Sequence, residues 1–563
     1  MIVGLAWVGM VAVLLVQARH HANAGLEKLR AARESLTPTE LIRGKGLGRL
    51  EAAQREFDRA HSEAGSPLIT PFEVLPFVGR QVRSIDALTG SAAHVMSVGT
   101  HVMRDSRREL DQKPPAGQAR VTLVQHVGVI ADRSRRDLRS VDLGPGRALV
   151  GPLAHARDRF ASELTRLRGA LDDVSSATAG VGEMLRGPSH YLVLAANNGE
   201  MRAGSGMLLS VGVLTLENGH LSLGDMVPTG EITLPAGAVP LSGDLAARWG
   251  WVDPNQEWRN LMMSPRFDAN AELATRMWKA RSGTDVDGAI AIDPIALRSL
   301  LAAEGPVTVD GQQIDEHNVV GELLYNQYVG ITNEDPVEAA RRERLSKIAR
   351  ATVDGLEQRG WDAGTLVDQL RIAGEGRHVL AWSSRPEQQR AWKAAGISGE
   401  LRSDSALVAV LSRSGNKLDQ FVTLDGRVEI TAGAADRDVT LRLDVANVAP
   451  PDIPLLVGGA FPGTGLQEGE YKGIVSVDVP GPARNVHIDQ GAPLVAVGPD
   501  GSARVVATDI RLARGQRREV LVHFKLPLVV RELRIEPSAR VPSVQWQFRA
   551  DRWTDDSART VRW

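Results

Sequence analysis

The chain has 563 residues, a formal net charge of −2 and no cysteine. That length accommodates two to four domains, and the near-zero charge supplies no field for nucleic acid, so a DNA or RNA partner is not expected. The lack of cysteine excludes disulfides, thiolate nucleophiles and cysteine-ligated metals, and fits an exported protein that avoids oxidisable thiols.

In chain order, Ile2 to Val16 is uncharged and mostly aliphatic, and Gln17-Ala18-Arg19-His20-His21 follows it. The run sits at the short end for a membrane span of about 20 residues. It reads as a single-pass anchor over residues 1–17, with the bulk of the chain extracytoplasmic at the plasma membrane. Arg19, taken literally, would hold the body in the cytoplasm, so an exported body implies a basic leader ahead of the run. A signal peptide is the alternative, but no small-residue cleavage site follows cleanly. His20-His21, with no downstream partner, reads as a solvated flank.

Residues 22–186 carry a helical pattern. Leu26, Leu29, Ala32 and Leu36 recur at three-to-four spacing, and Ser35 to Glu40 supplies a stop and a new cap. Leu50, Ala53, Phe57 and Ala60 mark a second helix, Val95 and Val102 a third, and Leu164, Leu167 and Leu171 a long one. Pro71 to Gly79 is a proline-punctuated link, and Pro114-Pro115 breaks the pattern again. The expectation is a helical stalk or bundle.

Over residues 190–400 strands and helices alternate, which argues an α/β layer. Tyr191–Ala196 and Met207–Leu216 read as strands. Glu217-Asn218-Gly219 supplies the positive-φ positions of a hairpin turn, and Leu221–Leu223 returns. Between the first two strands, Asn197 to Gly206 collects Asn197, Asn198, Glu200, Arg202 and Ser205. A polar loop at a strand's carboxyl end is where binding sites on α/β sheets are built, and a solvated connection is the alternative. Asn270–Ala280 reads as a helix and Val286–Asp293 as a strand, with Asp293 an N-cap before Pro294. Ile295–Ala303, Asn318–Asn326 and Glu338–Gln358 read as helices. Asp285 and Asp287 share a strand face, which suits a metal or acid/base pair, though aspartates at strand ends more often cap turns.

Residues 401–563 change to short apolar runs parted by Gly, Pro, Asn and Asp, the spacing of a β-sandwich. Gly415-Asn416-Lys417-Leu418-Asp419 is its most distinctive polar cluster and reads as architecture. Trp546, Trp553 and Trp563 suit either sugar stacking or packing, with packing favoured. The chain carries no P-loop, His-Glu-x-x-His, Gly-x-Ser-x-Gly elbow or dinucleotide glycine fingerprint.

Four stretches in order resemble an actinobacterial membrane-protein group, domain of unknown function 4012. They are Asn197–Gly206, Val286–Pro294, Gly305-Pro306-Val307-Thr308-Val309 and Gly415–Asp419. A more distant resemblance is to the LytR–CpsA–Psr family, exported enzymes that transfer glycopolymers from polyprenyl-phosphate carriers. The strand, loop, strand, hairpin order is similar, Arg202 falls on that family's loop arginine, and Asp225 closes the hairpin. Arg341-Arg342-Glu343-Arg344-Leu345 resembles its arginine helix with Leu345 in place of glutamine. Its two magnesium-binding acids fall on Asn197 and the Gly204–Ser205 region, its hairpin arginine on Gly224, and its Arg-x-Arg pair has no counterpart around Tyr325-Asn326-Gln327-Tyr328.

The resemblances imply an α+β multidomain protein: N-terminal membrane helix, helical stalk or bundle, central LytR–CpsA–Psr-like α/β domain and C-terminal β-sandwich. They imply a cell-envelope protein that binds, and as an enzyme would transfer, an anionic or lipid-linked glycopolymer. Arg202, Asp225 and Arg344 would be the catalytic groups. Asn197, Asn198, Glu200, Ser205 and Arg341 would bind ligand, and magnesium would be the cation, with no metal ligand assigned in this chain. The alternative is a non-catalytic structural or interaction protein of an envelope polysaccharide-assembly complex.

Overall fold

The computed structural model describes residues 2–35, 46–111, 116–330, 335–461, 463–489 and 493–563; within these, the side chains of 2–6, 8, 9, 32–35 and 335–343 are outside the description. The chain divides into two compact units. One holds residues 1–114, 119–182 and 362–368, and the other holds the remainder.

The first unit is helical. α1 (Ile2–Ser35), α2 (Leu47–Ala64), α3 (Val78–Leu110), α4 (Gln118–Arg139) and α5 (Gly151–Arg186) supply it, with a 3-10 turn at Thr70–Val74. Ala53 and Phe57 of α2 bury against Ala92, Ala93 and Met96 of α3. Val98 of α3 meets Ala131 and Leu138 of α4 and Leu164 and Leu171 of α5. Gly25 lets α1 close on α2, because a Cβ there would lie 2.9 Å from the Phe57 ring. The expected stop and cap at Ser35–Glu40 and the Pro114-Pro115 break fall largely outside the described residues.

The anchor expected at residues 1–17 finds no support in the structure. Among the described residues no helix is long and apolar enough to cross a membrane. Fifteen apolar residues rise about 22 Å, short of a hydrocarbon core of about 30 Å. Part of the run is also spent on the protein itself: Val11 is buried with Ile69 and Val82, and Trp7, Leu14 and Leu15 pack beside them. His21 belongs to α1 and meets Glu56 at 2.7 Å.

The second unit opens with β1 (Ser189–Arg202) and β2 (Ser205–Glu217), an antiparallel pair. Asn218 and Gly219 both take positive φ, 52° and 81°, as a type I′ turn requires, and β3 (His220–Leu223) returns beside β2. A short β4 (Val227–Pro228) adds to β2, while β5 (Gly288–Ile292) joins β1 in parallel. β8 (Val379–Ser383) closes the other edge, after the small β6 (Val307–Val309) and β7 (Gln312–Ile314) pair. Helices cover this sheet. Ala271, Ala274 and Met277 of α6 (Phe267–Ser282) pack against one face, and Ala349 of α7 (Asp335–Gln358) packs with Val193 and Ala195 on the other.

The long strand expected from Met207 to Leu216 is therefore present and covered on both sides. The loop expected from Asn197 to Gly206 is not a loop. β1 continues to Arg202 with register shifts after Ala195 and after Asn197, and the turn is confined to Ala203-Gly204. Asn197 makes the bulge by taking the Gly199 amide on its own Oδ1 at 2.7 Å.

A sandwich of two six-stranded sheets completes the unit, ordered β13-β16-β11-β10-β18-β19 and β14-β15-β12-β9-β17-β20. Their bounds run β9 Ser405–Ser412, β10 Val422–Ala432, β11 Asp436–Asn447, β12 Tyr471–Pro480, β13 Arg484–Ile488, β14 Leu494–Asp500, β15 Ala503–Leu512, β16 Arg517–Pro527, β17 Glu532–Glu536, β18 Gln545–Phe548, β19 Asp551–Thr554 and β20 Arg559–Arg562. β10 runs unbroken through Gly426, where a Cβ would fall 2.5 Å from the Trp546 ring. β9 is buried throughout: Ala406, Val408 and Val410 enter the sandwich core, while Leu407, Ala409 and Leu411 enter the core of the α/β sheet.

Asp293 does three jobs at once. Its Oδ1 accepts the Ile295 and Ala296 amides at 2.9 and 3.0 Å, capping the helix Pro294–Glu304. Its Oδ2 accepts Asn198 Nδ2 at 2.8 Å and meets His378 Nδ1 at 2.6 Å. Replacing it removes a cap and leaves buried partners unsatisfied, so Asp293→Ala is expected to lose about 2–4 kcal/mol of stability in denaturant unfolding.

Candidate functional site

The turn Ala203-Gly204 and the bulge before it form the tip of the β1–β2 hairpin, and the tip is buried against the sandwich. Asn197, Asn198, Glu200, Arg202 and Ser205 are all less than a tenth exposed. Such polar groups demand partners, and the sandwich end supplies many of them. The Met201 amide donates to Asp419 Oδ2 at 3.2 Å, and the Tyr471 hydroxyl donates to Asp419 Oδ1 at 2.8 Å. Arg540, fully buried, donates to the carbonyls of Val410, Asp419 and Val422.

Two cavities adjoin this tip. One, of about 280 Å³, includes Asn197, Glu200, Arg259, Gln327, Tyr328 and Lys417 in its lining. The other, of about 320 Å³, includes Glu200, Arg202, Glu257, Arg259 and Arg413. Glu200, Met207 and Arg259 are common to both.

Each cavity cation has a definite partner or platform. Lys417 Nζ forms an ion pair with Glu200 and lies 5.5 Å from the centre of the Tyr328 ring. Arg259 grips Glu257 in a fork, Nε to Oε1 at 2.9 Å and Nη2 to Oε2 at 2.6 Å. Burial would raise the Glu257 carboxyl, but hydrogen bonds from Arg259 outweigh it and hold it below its ordinary value. Arg413 is exposed and rests 4.7 Å from the centre of the Trp251 ring, which is itself about half exposed (47%). Among the described residues no carboxylate lies within ion-pair distance of Arg413.

The sequence-derived candidates divide among several places. Asn197 and Glu200 line the first cavity, and Glu200 and Arg202 the second. Arg202 spends its guanidinium on the chain: Nε donates to the Arg259 carbonyl at 3.0 Å, and Nη1 donates to those of Met201 and Ser412 at 2.9 and 3.0 Å. Burial pulls its pKa down. Asn198 lies behind the tip, bonded to Asp293 and to the Ala539 carbonyl. Ser205 is buried beside it in the hairpin. Asp225 is largely exposed and pairs with Arg350 at 2.7 Å. Arg344 pairs with Glu322 at 3.0 Å and reaches Gln312. Arg341's side chain lies outside the described residues. Of the arginine run, Leu345 lines the first cavity.

Residues fit for the magnesium of the resembling transferases do not come together here. The positions of its two acids are Asn197 and the Gly204–Ser205 region, the nearby carboxylates Glu200 and Glu257 are committed to cations, and no group of three or more metal-ligating side chains occurs among the described residues. Asp285 pairs with Lys279 at 2.8 Å and Asp287 with Arg385 at 2.8 Å. Trp546 is buried and stacks on Trp553, in keeping with packing.

The family described as Protein of unknown function (DUF4012) matches residues 186–328. This stretch belongs to that family. No curated protein and no solved structure matches the chain. The DUF4012 stretch holds the hairpin tip, Arg259 and Tyr328, while Lys417 and Arg413 come from beyond it. Gly415–Asp419, expected to be architecture, thus supplies both Lys417 and the Asp419 carboxylate that fastens the tip. Its density of polar groups was the signal; for Arg259 and Trp251 the sequence carries none.

Burial pushes the Asp419 carboxyl up to about 6, although Arg540, the Tyr471 hydroxyl, the Met201 amide and Arg202 favour its charged form. Burial likewise pushes Asp555 up to about 7, against the amides of Val544 and Ser538. The folded chain thus keeps protons that the unfolded chain releases near pH 4, so this stabilisation is complete below about pH 4 and is lost as pH rises through the folded values. The thermal midpoint is expected to fall between about pH 5 and 8, and Asp555→Asn to flatten the upper half of that fall. A midpoint that climbs over the interval contradicts the assignment.

Proposed function

We propose that this is a cell-envelope protein that binds an anionic or lipid-linked glycopolymer, at the membrane surface and on its extracytoplasmic side, in the two cavities at the hairpin tip. The observation that carries the reading is the set Lys417, Arg259, Arg413 and Trp251 around adjoining cavities. Ammonium and guanidinium groups match phosphate or uronate oxygens, and a half-exposed indole offers a face to a sugar ring. Glu200 and Glu257 hold two of the cations in place. A ligand anion takes over from those carboxylates, so affinity reflects an exchange of partners rather than the capture of bare charge. The absence of cysteine supports the exported location. Arg202 acts as a positioning group that ties the tip to the Arg259 and Ser412 backbones.

The reading favours binding over transfer, because the two acids for a pyrophosphate-bound magnesium are replaced by Asn197 and the Gly204–Ser205 region. The second reading, a structural protein of an envelope assembly, draws on the same geometry: Glu200–Lys417 and Glu257–Arg259 are self-neutralising pairs.

One titration separates the two. A uronic-acid oligomer, a neutral oligomer of equal length and a short-chain polyprenyl pyrophosphate are titrated against the protein. Binding of one or both anionic probes is expected, with none of the neutral one. Arg413→Ala, at an exposed position, is expected to weaken binding about tenfold, or about 1.4 kcal/mol. Glu200→Gln removes the carboxylate paired with Lys417 and is expected to strengthen binding several-fold while lowering the thermal midpoint. Equal affinity for charged and neutral oligomers, or loss of binding in Glu200→Gln with the fold intact, would sink the anion-exchange reading.

A further inference from the structure

In the helical unit, the segment from Leu68 to Val78 shows water five large apolar side chains: Leu68, Val74, Leu75, Phe77 and Val78. Val74 is 82% exposed and Phe77 59%. This is not a loose link. Ile69 is buried, Phe72 packs on Trp7 of α1 with ring centres 4.8 Å apart, and the Gly79 amide returns to the Leu75 carbonyl at 2.8 Å. Gly79 is required, since a Cβ there would fall 2.0 Å from the Glu73 carbonyl oxygen. Arg83 Nη1 donates to that same oxygen at 2.6 Å. The chain thus spends buried residues, a glycine and an arginine on presenting a turn whose outward face is apolar.

Exposed apolar side chains gathered on one built turn mark a docking site. The charges around it select the partner. Arg19, Arg80 and Arg83 are exposed, Glu73 is the sole acid from residue 66 to 85, and α1 has no acid before Glu27. Apolar tips rimmed by arginine fit the boundary between acyl chains and anionic headgroups.

We infer that the Leu68–Val78 turn inserts shallowly into an anionic lipid bilayer. This deepens the membrane-surface placement proposed above by naming the element that makes it. It is tested apart from ligand binding, which is measured in solution without lipid, so failure of one leaves the other standing.

The test is flotation of the full chain with phosphatidylcholine vesicles, with and without phosphatidylglycerol. Co-flotation with the anionic vesicles is expected, weakening as salt rises. Val74→Ser/Leu75→Ser/Phe77→Ser, all at exposed positions, is expected to lower vesicle partitioning at least tenfold. Val129→Ser/Val529→Ser, exposed valines elsewhere, is expected to change nothing. Phe77→Trp is expected to shift its emission to the blue on adding anionic vesicles. A triple variant that floats as well as the parent overturns the inference, as does a parent that never floats. So does a parent dimer that the triple variant converts to a monomer, which would show a second copy covering the face.

Discussion

Strand β9 belongs to two cores at once, and the second unit depends on that. Its period-two alternation sends Ala406, Val408 and Val410 into the sandwich and Leu407, Ala409 and Leu411 toward β1, β5 and their helices. The α/β sheet and the sandwich therefore share apolar surface that neither could leave in water without losing of the order of 1–2 kcal/mol for each large side chain. The same contact presses the tip of the β1–β2 hairpin onto the sandwich end, where Asp419 accepts the Met201 amide and is itself held by Tyr471 and Arg540. Residues of the buried tip line both cavities, whose walls carry cations from both sides.

Burial at the tip also explains how the charges are used. Arg202 and Arg540 lie in surroundings where a bare guanidinium would be costly, so each donates to backbone carbonyls and sits near a carboxylate. Lys417, Arg259 and Arg413 line the cavities: Arg259 and Arg413 are exposed, while Lys417 is buried and paired with Glu200.

Local chemistry made several features legible in the sequence. Asn218-Gly219 announced its turn because few dipeptides take two positive φ values, and Asp293-Pro294 announced a helix start. The apolar run Met207–Leu216 marked a long strand. Other features depended on distant partners. Asn197–Gly206 reads as a loop because the bulges interrupt its alternation, yet the sandwich supplies the hydrogen bonds that keep it extended. The cavity cations come from positions 259, 413 and 417, and only the fold brings them beside Glu200. The run Ile2–Val16 resembles an anchor in hydropathy, and its packing on Ile69 and Val82 appears only in three dimensions.

The most direct measurement of the locked junction is native-state hydrogen exchange on the full chain, followed by peptides covering residues 197–206 and 415–420. A locked tip predicts that both peptides exchange together, as slowly as β9 and β12, through one cooperative opening. Exchange of residues 197–206 within seconds, while β9 stays protected, would show a mobile loop and contradict the account.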